Sequence, residues 1–126
     1  MSDYERRISS KKETANSTNK VLQGIKNDQD KPDLTLLPAK AKSDIARAFM
    51  YGAKKYGRNN YKKGMKWSRV LAAAERHLDA FKEGEDTDEE SGLNHLAHLG
   101  ACVCMLLHYY NTETGQDDRA VVEELP

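Results

Sequence analysis

Apolar residues recur at helical spacing in three stretches of the chain, and no stretch alternates in the manner of a β-strand. The first stretch places Ile45, Phe49 and Gly52 at steps of four and three residues. That spacing predicts a helix over residues 39–56, with Gly57 as its C-cap. The apolar positions of this helix lie on one side, so we expect that side to face a core.

The second and third stretches predict two further helices. Ser68 is a suitable N-cap for a helix that ends near Glu83. The third helix is predicted over residues 91–110 and is apolar nearly all round between Leu96 and Leu107, so we expect it to be buried on most sides. Two short neighbours cannot cover such a helix. The pattern therefore predicts an all-α fold, a small bundle of three main helices completed by homo-oligomerisation.

The polar segments set the predicted organisation of the chain. Residues 1–24 lack a sustained apolar period and are predicted to be a flexible N-terminal segment. Residues 25–111 contain the helical domain, and residues 112–126 form a polar C-terminal tail. Three leucines just before the first helix are expected to pack on the core: Leu34, Leu36 and Leu37.

The charge balance and the cysteines limit the class of protein. Twenty basic residues balance twenty acidic ones, so no overall field draws the chain to long nucleic acids or to membranes. Cys102 and Cys104 are two apart in a helical stretch and face different sides, which predicts core thiols rather than a disulfide. No stretch has the length of a membrane span, and the N-terminus lacks the apolar core of a signal peptide. We therefore expect a cytoplasmic protein.

A basic and aromatic cluster spans residues 52–64, where Lys, Arg, Asn and Tyr are interleaved. Lys and Arg can pair with phosphate oxygens, Asn can bind a base or a sugar, and Tyr can stack on a base. Taken singly, each is also an ordinary surface residue. The candidate substrate-binding residues are Lys54, Lys55, Tyr56, Arg58, Asn59, Asn60, Lys63 and, from the second helix, Arg76.

Carboxylates and imidazoles follow the basic cluster. Glu75 and Asp79 are four apart on one helical face and could hold a hard cation such as Mg²⁺ or Mn²⁺, although a solvated acidic face is an equal alternative. His95 and His98 are three apart on the third helix, a spacing found both in metal sites and in hydrogen-bonded buried pairs. His77 lies on the opposite flank from Glu75, so we do not expect one ion to bind both.

Four motifs occur in a characteristic order: KPDLTLLP, YGAKKYGRNNYKKG, ERHLDAF and GEDTDEESGLNHLAH. In this order the chain, over about residues 26–108, resembles the phage dATP/dGTP diphosphohydrolase N-terminal domain family, which is related to the MazG-like all-α nucleoside triphosphate pyrophosphohydrolases. The resemblance implies an oligomeric α-helical protein of the host cytoplasm. It also implies metal-dependent hydrolysis of purine deoxynucleoside triphosphates to monophosphate and pyrophosphate, with Mg²⁺ or Mn²⁺ as cofactor.

One departure from the related enzymes matters for the site. MazG-like enzymes usually carry paired ExxE and ExxD motifs, and this chain has no clean ExxE. We therefore assign Glu75, Asp79 and Glu90 as candidate catalytic residues. The candidate metal ligands are Glu75, Asp79, Glu90, His95 and His98.

Two other functions stay open from the sequence. The missing ExxE leaves room for a protein of the same fold that sequesters a nucleotide or a cyclic-nucleotide signal without cleaving it. The apolar third helix leaves room for a helical interaction adaptor.

Overall fold

The computed structural model describes residues 2–7 and 23–120. The chain divides into two compact units, Met1–Asp33 and Leu34–Pro126. In the first unit, residues 3–7 are helical and residues 23–28 have no regular structure. Most of the N-terminal segment that was predicted to be flexible lies outside the described residues.

Three α-helices build the second unit: α1 (Ala39–Tyr56), α2 (Trp67–Lys82) and α3 (His95–Thr112). Short 3-10 turns precede α1 and α2, at Leu34–Leu36 and Asn60–Lys63. Among the described residues, β pairing is limited to two isolated bridges, so the all-α prediction is confirmed.

The bounds of α1 agree with the prediction from the sequence. The helix covers residues 39–56, and Gly57 follows it with φ 96°, a conformation that glycine adopts without steric cost. The backbone N–H of Gly57 donates to the carbonyl of Ala53 and closes the last turn. The predicted C-cap is therefore confirmed.

The start of α2 differs from the prediction. Lys66 is the N-cap residue and provides no side-chain cap, whereas Ser68 already lies in the first turn. The Ser68 backbone N–H and its hydroxyl donate to the two carboxylate oxygens of Asp118, at 2.8 and 2.5 Å. The assignment of Ser68 as the cap was wrong because a carboxylate distant in sequence satisfies the free N–H groups of this helix end.

The third helix begins later than predicted. Asn94 is its N-cap and accepts a hydrogen bond from the backbone N–H of Leu96 at 2.8 Å. The preceding residues form a turn in which Ser91 binds the Asp88 carboxylate and Gly92 has φ 75°. A helix cannot continue through a positive φ, so α3 starts at His95 instead of near residue 91.

Helix α3 is the centre of the unit because it packs against both α1 and α2. On the α1 side, Ala97 and Ala101 pack against Ala48. On the α2 side, Val70 packs in a second cluster with Tyr109, whose side chain is fully buried. The two clusters leave room between α1 and α2.

The outer face of α3 is more exposed than the sequence pattern predicts. Leu96, Val103 and Leu107 are between 43% and 56% exposed, because two helices cover only two sides of α3. The expectation of burial on most sides is therefore wrong for the single chain. Homo-oligomerisation, which would cover this face, stays a prediction.

Two smaller packing predictions are also wrong. Cys102 is a buried free thiol as expected, but Cys104 is free and exposed. The three leucines before α1 do not enter the core: Leu34, Leu36 and Leu37 are all more than half exposed.

Within the described part of the chain, no helix is long and apolar enough to cross a membrane.

We expect Gly100→Ala to destabilise the protein by about 1–2 kcal/mol, because α1 and α3 approach most closely there. A Cβ atom at this position would lie 2.7 Å from Cγ1 of Ile45, so Ile45 or the helix would have to shift. Urea unfolding followed by circular dichroism measures the change.

Gly52→Ala is the matched control. It also lies within a helix, and a Cβ there meets no atom within 4 Å. The substitution should leave stability unchanged or raise it by up to about 1 kcal/mol. Equal effects of the two substitutions would contradict the proposed close contact.

Candidate functional site

A cavity of about 530 Å³ lies between the three helices and the loop that joins α1 to α2. This volume falls within the range of small-molecule sites. Apolar and aromatic side chains form part of its lining: Phe49, Tyr61, Met65, Val70, Cys102 and Met105. Cationic residues and a cluster of histidines with carboxylates line the rest.

Four cationic side chains line the cavity. Lys55 and Arg58 come from the end of α1 and the loop after it, while Arg69 and Arg76 come from α2. The two arginines of α2 are seven residues apart, so they lie on the same helical face. Guanidinium groups pair well with phosphate oxygens, and this part of the cavity therefore suits a polyanionic ligand.

Three of the four histidines meet beside the cavity. Nδ1 of His77, on α2, lies 2.9 Å from Nδ1 of His95, at the start of α3. The rings of His77 and His98 stack with their centroids 4.7 Å apart. His77 and His98 line the cavity itself. The packing of α2 against the first turns of α3 creates this histidine cluster.

Asp88 joins the histidine cluster from the turn before α3. Its Oδ2 atom accepts two hydrogen bonds from Ser91, from the backbone N–H at 3.0 Å and from the hydroxyl at 2.8 Å. The same hydroxyl lies 2.6 Å from Nε2 of His98. Partial burial acts to raise the pKa of Asp88, but the bonds from Ser91 outweigh it and lower the pKa. Asp88 is therefore a fixed, ionised carboxylate at neutral pH.

The imidazoles of His77 and His98 are kept neutral by their surroundings. Burial lowers the pKa of His77, and the adjacent His98 and His95 lower it further. Burial also lowers the pKa of His98, and the nearby Asp88 opposes that change without cancelling it. Neutral rings present nitrogen lone pairs at pH 7, which is the form that binds metal ions.

The donor set of the cluster fits a divalent metal ion. His77, Asp88 and His95 each offer one ligand atom, and these three atoms lie within 4.8 Å of one another. His95 is only 5% exposed, and its Nε2 atom is buried without a hydrogen-bond partner among the described residues. A buried nitrogen without a partner is costly, so the ring of His95 is not fully satisfied by its neighbours.

Glu90 lies at the rim of the cavity in a small network of its own. It accepts hydrogen bonds from Nζ of Lys55 at 2.5 Å and from the Tyr51 hydroxyl at 2.8 Å. The bond from Lys55, and then that from Tyr51, lower the pKa of Glu90. The bond with Glu90 raises the pKa of Lys55. All of these groups are solvent-accessible, so the network is open to exchange with a ligand.

The structure brings most of the predicted substrate-binding residues to the cavity. Five of them line it: Lys55, Tyr56, Arg58, Asn60 and Arg76. Three lie outside its lining: Lys54, Asn59 and Lys63. Asn59 instead lines a smaller depression next to Lys62.

The predicted metal and catalytic residues divide in the same way. Glu90 and His98 line the cavity, and His95 contacts His77 next to it. Glu75 and Asp79 are exposed on α2 and are not part of the lining. The Asp79 carboxylate instead lies 4.0 Å from the amine of Lys82. Their assignment as ligands stays a prediction.

Three residues that line the cavity were not among the predicted site residues: His77, Asp88 and Arg69. His77 was expected only not to share an ion with Glu75. Arg69 lies outside the basic cluster. One signal was available for Asp88, because an Asp three residues before a Ser is typical of a turn closed by its side chain.

The fold and the site together define a small helical protein with a cavity lined by cations, histidines and carboxylates. Residues 22–119 match the family model described as dATP/dGTP diphosphohydrolase, N-terminal. The chain therefore belongs to that family, as the order of its motifs indicated.

A relative from a phage supports this assignment. The chain is 36% identical over 98 residues to a protein named dATP/dGTP diphosphohydrolase from Salmonella phage PMBT28. The alignment covers 78% of this chain and 33% of the relative, so the chain spans about a third of that protein's length. No solved structure matches the chain.

We expect the two cysteines to differ in reactivity by about tenfold or more. With Cys104→Ser, the remaining thiol is Cys102, which is buried, and burial raises its pKa. With Cys102→Ser, the exposed Cys104 remains. Labelling with a chromogenic disulfide reagent measures both rates, and they should become equal in denaturant. Equal rates in the folded protein would contradict the packing of α3.

Proposed function

We propose that this chain hydrolyses purine deoxynucleoside triphosphates, dATP or dGTP, to the monophosphate and pyrophosphate. The observation that carries the proposal is the joint lining of one cavity by phosphate-binding cations and by a histidine and carboxylate cluster. Membership of the family and the name of the phage relative support the substrate class.

The cationic residues would hold the triphosphate. Arg69 and Arg76 project from one helical face, and Arg58 reaches the same cavity from the loop. Each guanidinium can form two parallel bonds to a phosphate group and so neutralise charge on the leaving pyrophosphate. Because arginine keeps its charge at all working pH values, this function does not depend on a proton.

The aromatic and apolar lining would hold the nucleoside. Phe49 and Tyr61 lie with their ring centroids 5.3 Å apart, and both line the cavity. Tyr56 and Asn60 lie in the same lining. A purine has a large π surface that can stack on such rings, and an amide can bind the edge of the base.

A divalent cation takes part in the proposed reaction. The cluster of His77, Asp88 and His95 would hold it, and the chemistry it would supply there is polarisation of the phosphate and a lowered pKa of a bound water. His98 and Ser91 would keep the Asp88 carboxylate oriented, since Ser91 bonds to both. This is the division between direct ligands and their supporting residues that metal sites commonly have.

Glu90 is the proposed general base for the attacking water. In the ligand-free chain its carboxylate is bound by Lys55 and Tyr51. A triphosphate offers Lys55 a more highly charged partner, and release of Lys55 would remove the bond that most lowers the pKa of Glu90, which would make its carboxylate a stronger base. Binding of the substrate and activation of the base would thus be coupled.

One observation favours a second function, the binding of a nucleotide without cleavage. Only two carboxylates line the cavity within the described residues, Asp88 and Glu90, and Glu90 is already engaged. A cavity with few free carboxylates is consistent with a protein that sequesters a nucleotide or a cyclic-nucleotide signal.

Incubation with each of the four dNTPs and a divalent cation tests the proposal. We expect dATP or dGTP to give dNMP and pyrophosphate in equal amounts, resolved by ion-exchange chromatography. Intact nucleotide that is lost from solution and recovered after denaturation would instead establish the binding function. The absence of both product and binding would contradict both functions.

Substitutions distinguish the cavity cluster from the acidic pair of α2. Asp88→Asn keeps the shape of the side chain and removes its charge, and we expect kcat to fall by about 100-fold or more. Glu75→Gln and Asp79→Asn should change kcat by less than about threefold, because both side chains are exposed outside the lining. The opposite ranking would assign the metal to the α2 pair.

A further inference from the structure

We propose that His77, Asp88 and His95 form a single metal site that selects a first-row transition-metal dication, such as Mn²⁺, Co²⁺ or Zn²⁺, over Mg²⁺. The inference builds on the proposed function, in which a divalent cation takes part, and it names the class of ion. It differs from the expectation of a site made of helical carboxylates.

The spacing of the two ring nitrogens suits a shared ion. Nδ1 of His77 and Nδ1 of His95 lie 2.9 Å apart. Two nitrogens each about 2.1 Å from one ion would lie about 3.0 Å apart in octahedral coordination and about 3.4 Å apart in tetrahedral coordination, so a small movement of the rings would admit either geometry. The Asp88 carboxylate is the third group whose ligand atom lies within 4.8 Å of the other two.

The ring of His95 is incompletely satisfied by the protein chain alone. If the two Nδ1 atoms share one proton, Nε2 of His95 is left as a buried atom with no hydrogen-bond partner, whichever ring carries that proton. A metal ion bound to both Nδ1 atoms would leave Nε2 as the nitrogen of His95 that carries a proton. That proton would face the carboxylate of Glu85, whose Oε1 lies 3.6 Å away.

A carboxylate behind a metal-bound imidazole is a recurring feature of metal sites, where it fixes the orientation of the ring. Oε1 of Glu85 lies just beyond hydrogen-bond distance of Nε2 of His95, at 3.6 Å, so the exposed Glu85 side chain would have to move closer to take this role. The third ligand is already fixed, since both bonds from Ser91 go to Oδ2 of Asp88.

The ligand types decide the class of ion. Mg²⁺ prefers oxygen ligands in an octahedron and retains several waters, and it rarely accepts imidazole. Two imidazoles and one carboxylate suit Zn²⁺, Co²⁺ and related ions, and leave positions for water or phosphate oxygens. Glu75 and Asp79, the carboxylates that would suit Mg²⁺, lie outside the cavity lining.

The test measures metal binding directly, on the tag-free chain of 126 residues with Cys104→Ser to remove the exposed thiol. After treatment with a chelator, Zn²⁺ or Co²⁺ at micromolar concentration should raise Tm by about 5 °C or more, and Mg²⁺ at the same concentration should not. Bound Co²⁺ should also give a visible absorption band, which can be measured on the same protein.

Three variants locate the site. His77→Gln and Asp88→Asn should each abolish the Tm shift and weaken Co²⁺ binding by at least tenfold. His108→Gln is the matched control, because His108 lies on the same helix as His95 but belongs neither to the cluster nor to the cavity lining. It should bind Co²⁺ as the parent does.

The inference is overturned if Mg²⁺ stabilises the protein as much as Co²⁺ does, or if the Co²⁺ effect survives both cluster substitutions. Its failure is separable from failure of the proposed function. Hydrolysis of dNTPs supported by Mg²⁺ alone, with no Co²⁺ band, would refute the site and keep the function. A Co²⁺ site in a protein that neither hydrolyses nor binds nucleotides would support the site and refute the proposed function.

Discussion

Close packing of α1 against small residues of α3 is the contact on which the rest of the structure depends. Ala97, Gly100 and Ala101 present little side-chain volume, so α1 can bring Ala48 and Ile45 up to the backbone of α3. The next faces of α3 carry larger residues that hold α2. Because α1 and α2 both pack on α3 and make few contacts with each other, a cavity opens between them.

The same arrangement places the two halves of the site. The end of α1 and the face of α2 bring cationic groups to the cavity, while the end of α2 and the start of α3 bring together His77 and His95. The turn before α3 adds Asp88. None of these segments forms a site by itself. Their convergence depends on the crossing of α2 and α3, which is stabilised by the buried Val70 and Tyr109 cluster.

The sequence predicted the parts of this structure that depend on local pattern. The bounds of α1, its glycine cap and the all-α class follow from periodicity and backbone preference. Long-range contacts were missed. The Asp118 cap of α2 comes from a distant residue, and the pairing of His77 with His95 depends on how two helices cross. A helical wheel shows which residues share a face of one helix, but not which faces meet.

Electrostatics explains how a chain with no net charge can form a cavity that suits a highly charged ligand. Twenty basic and twenty acidic residues cancel overall, yet the cavity has cations at Arg69 and Arg76 and carboxylates at Asp88 and Glu90. In the ligand-free chain, Lys55 and Glu90 neutralise each other at the rim. A metal-bound triphosphate carries both negative and positive charge. In the proposed function its phosphates would pair with the cations of the cavity and its metal ion with the carboxylates, in place of the Lys55–Glu90 pair. The cost of separating Lys55 from Glu90 is low because both side chains are largely exposed to water. In the proposed function, a ligand that carries phosphate without a metal ion would interact favourably only with the cationic half of the cavity, so the arrangement of charges would favour the two groups together.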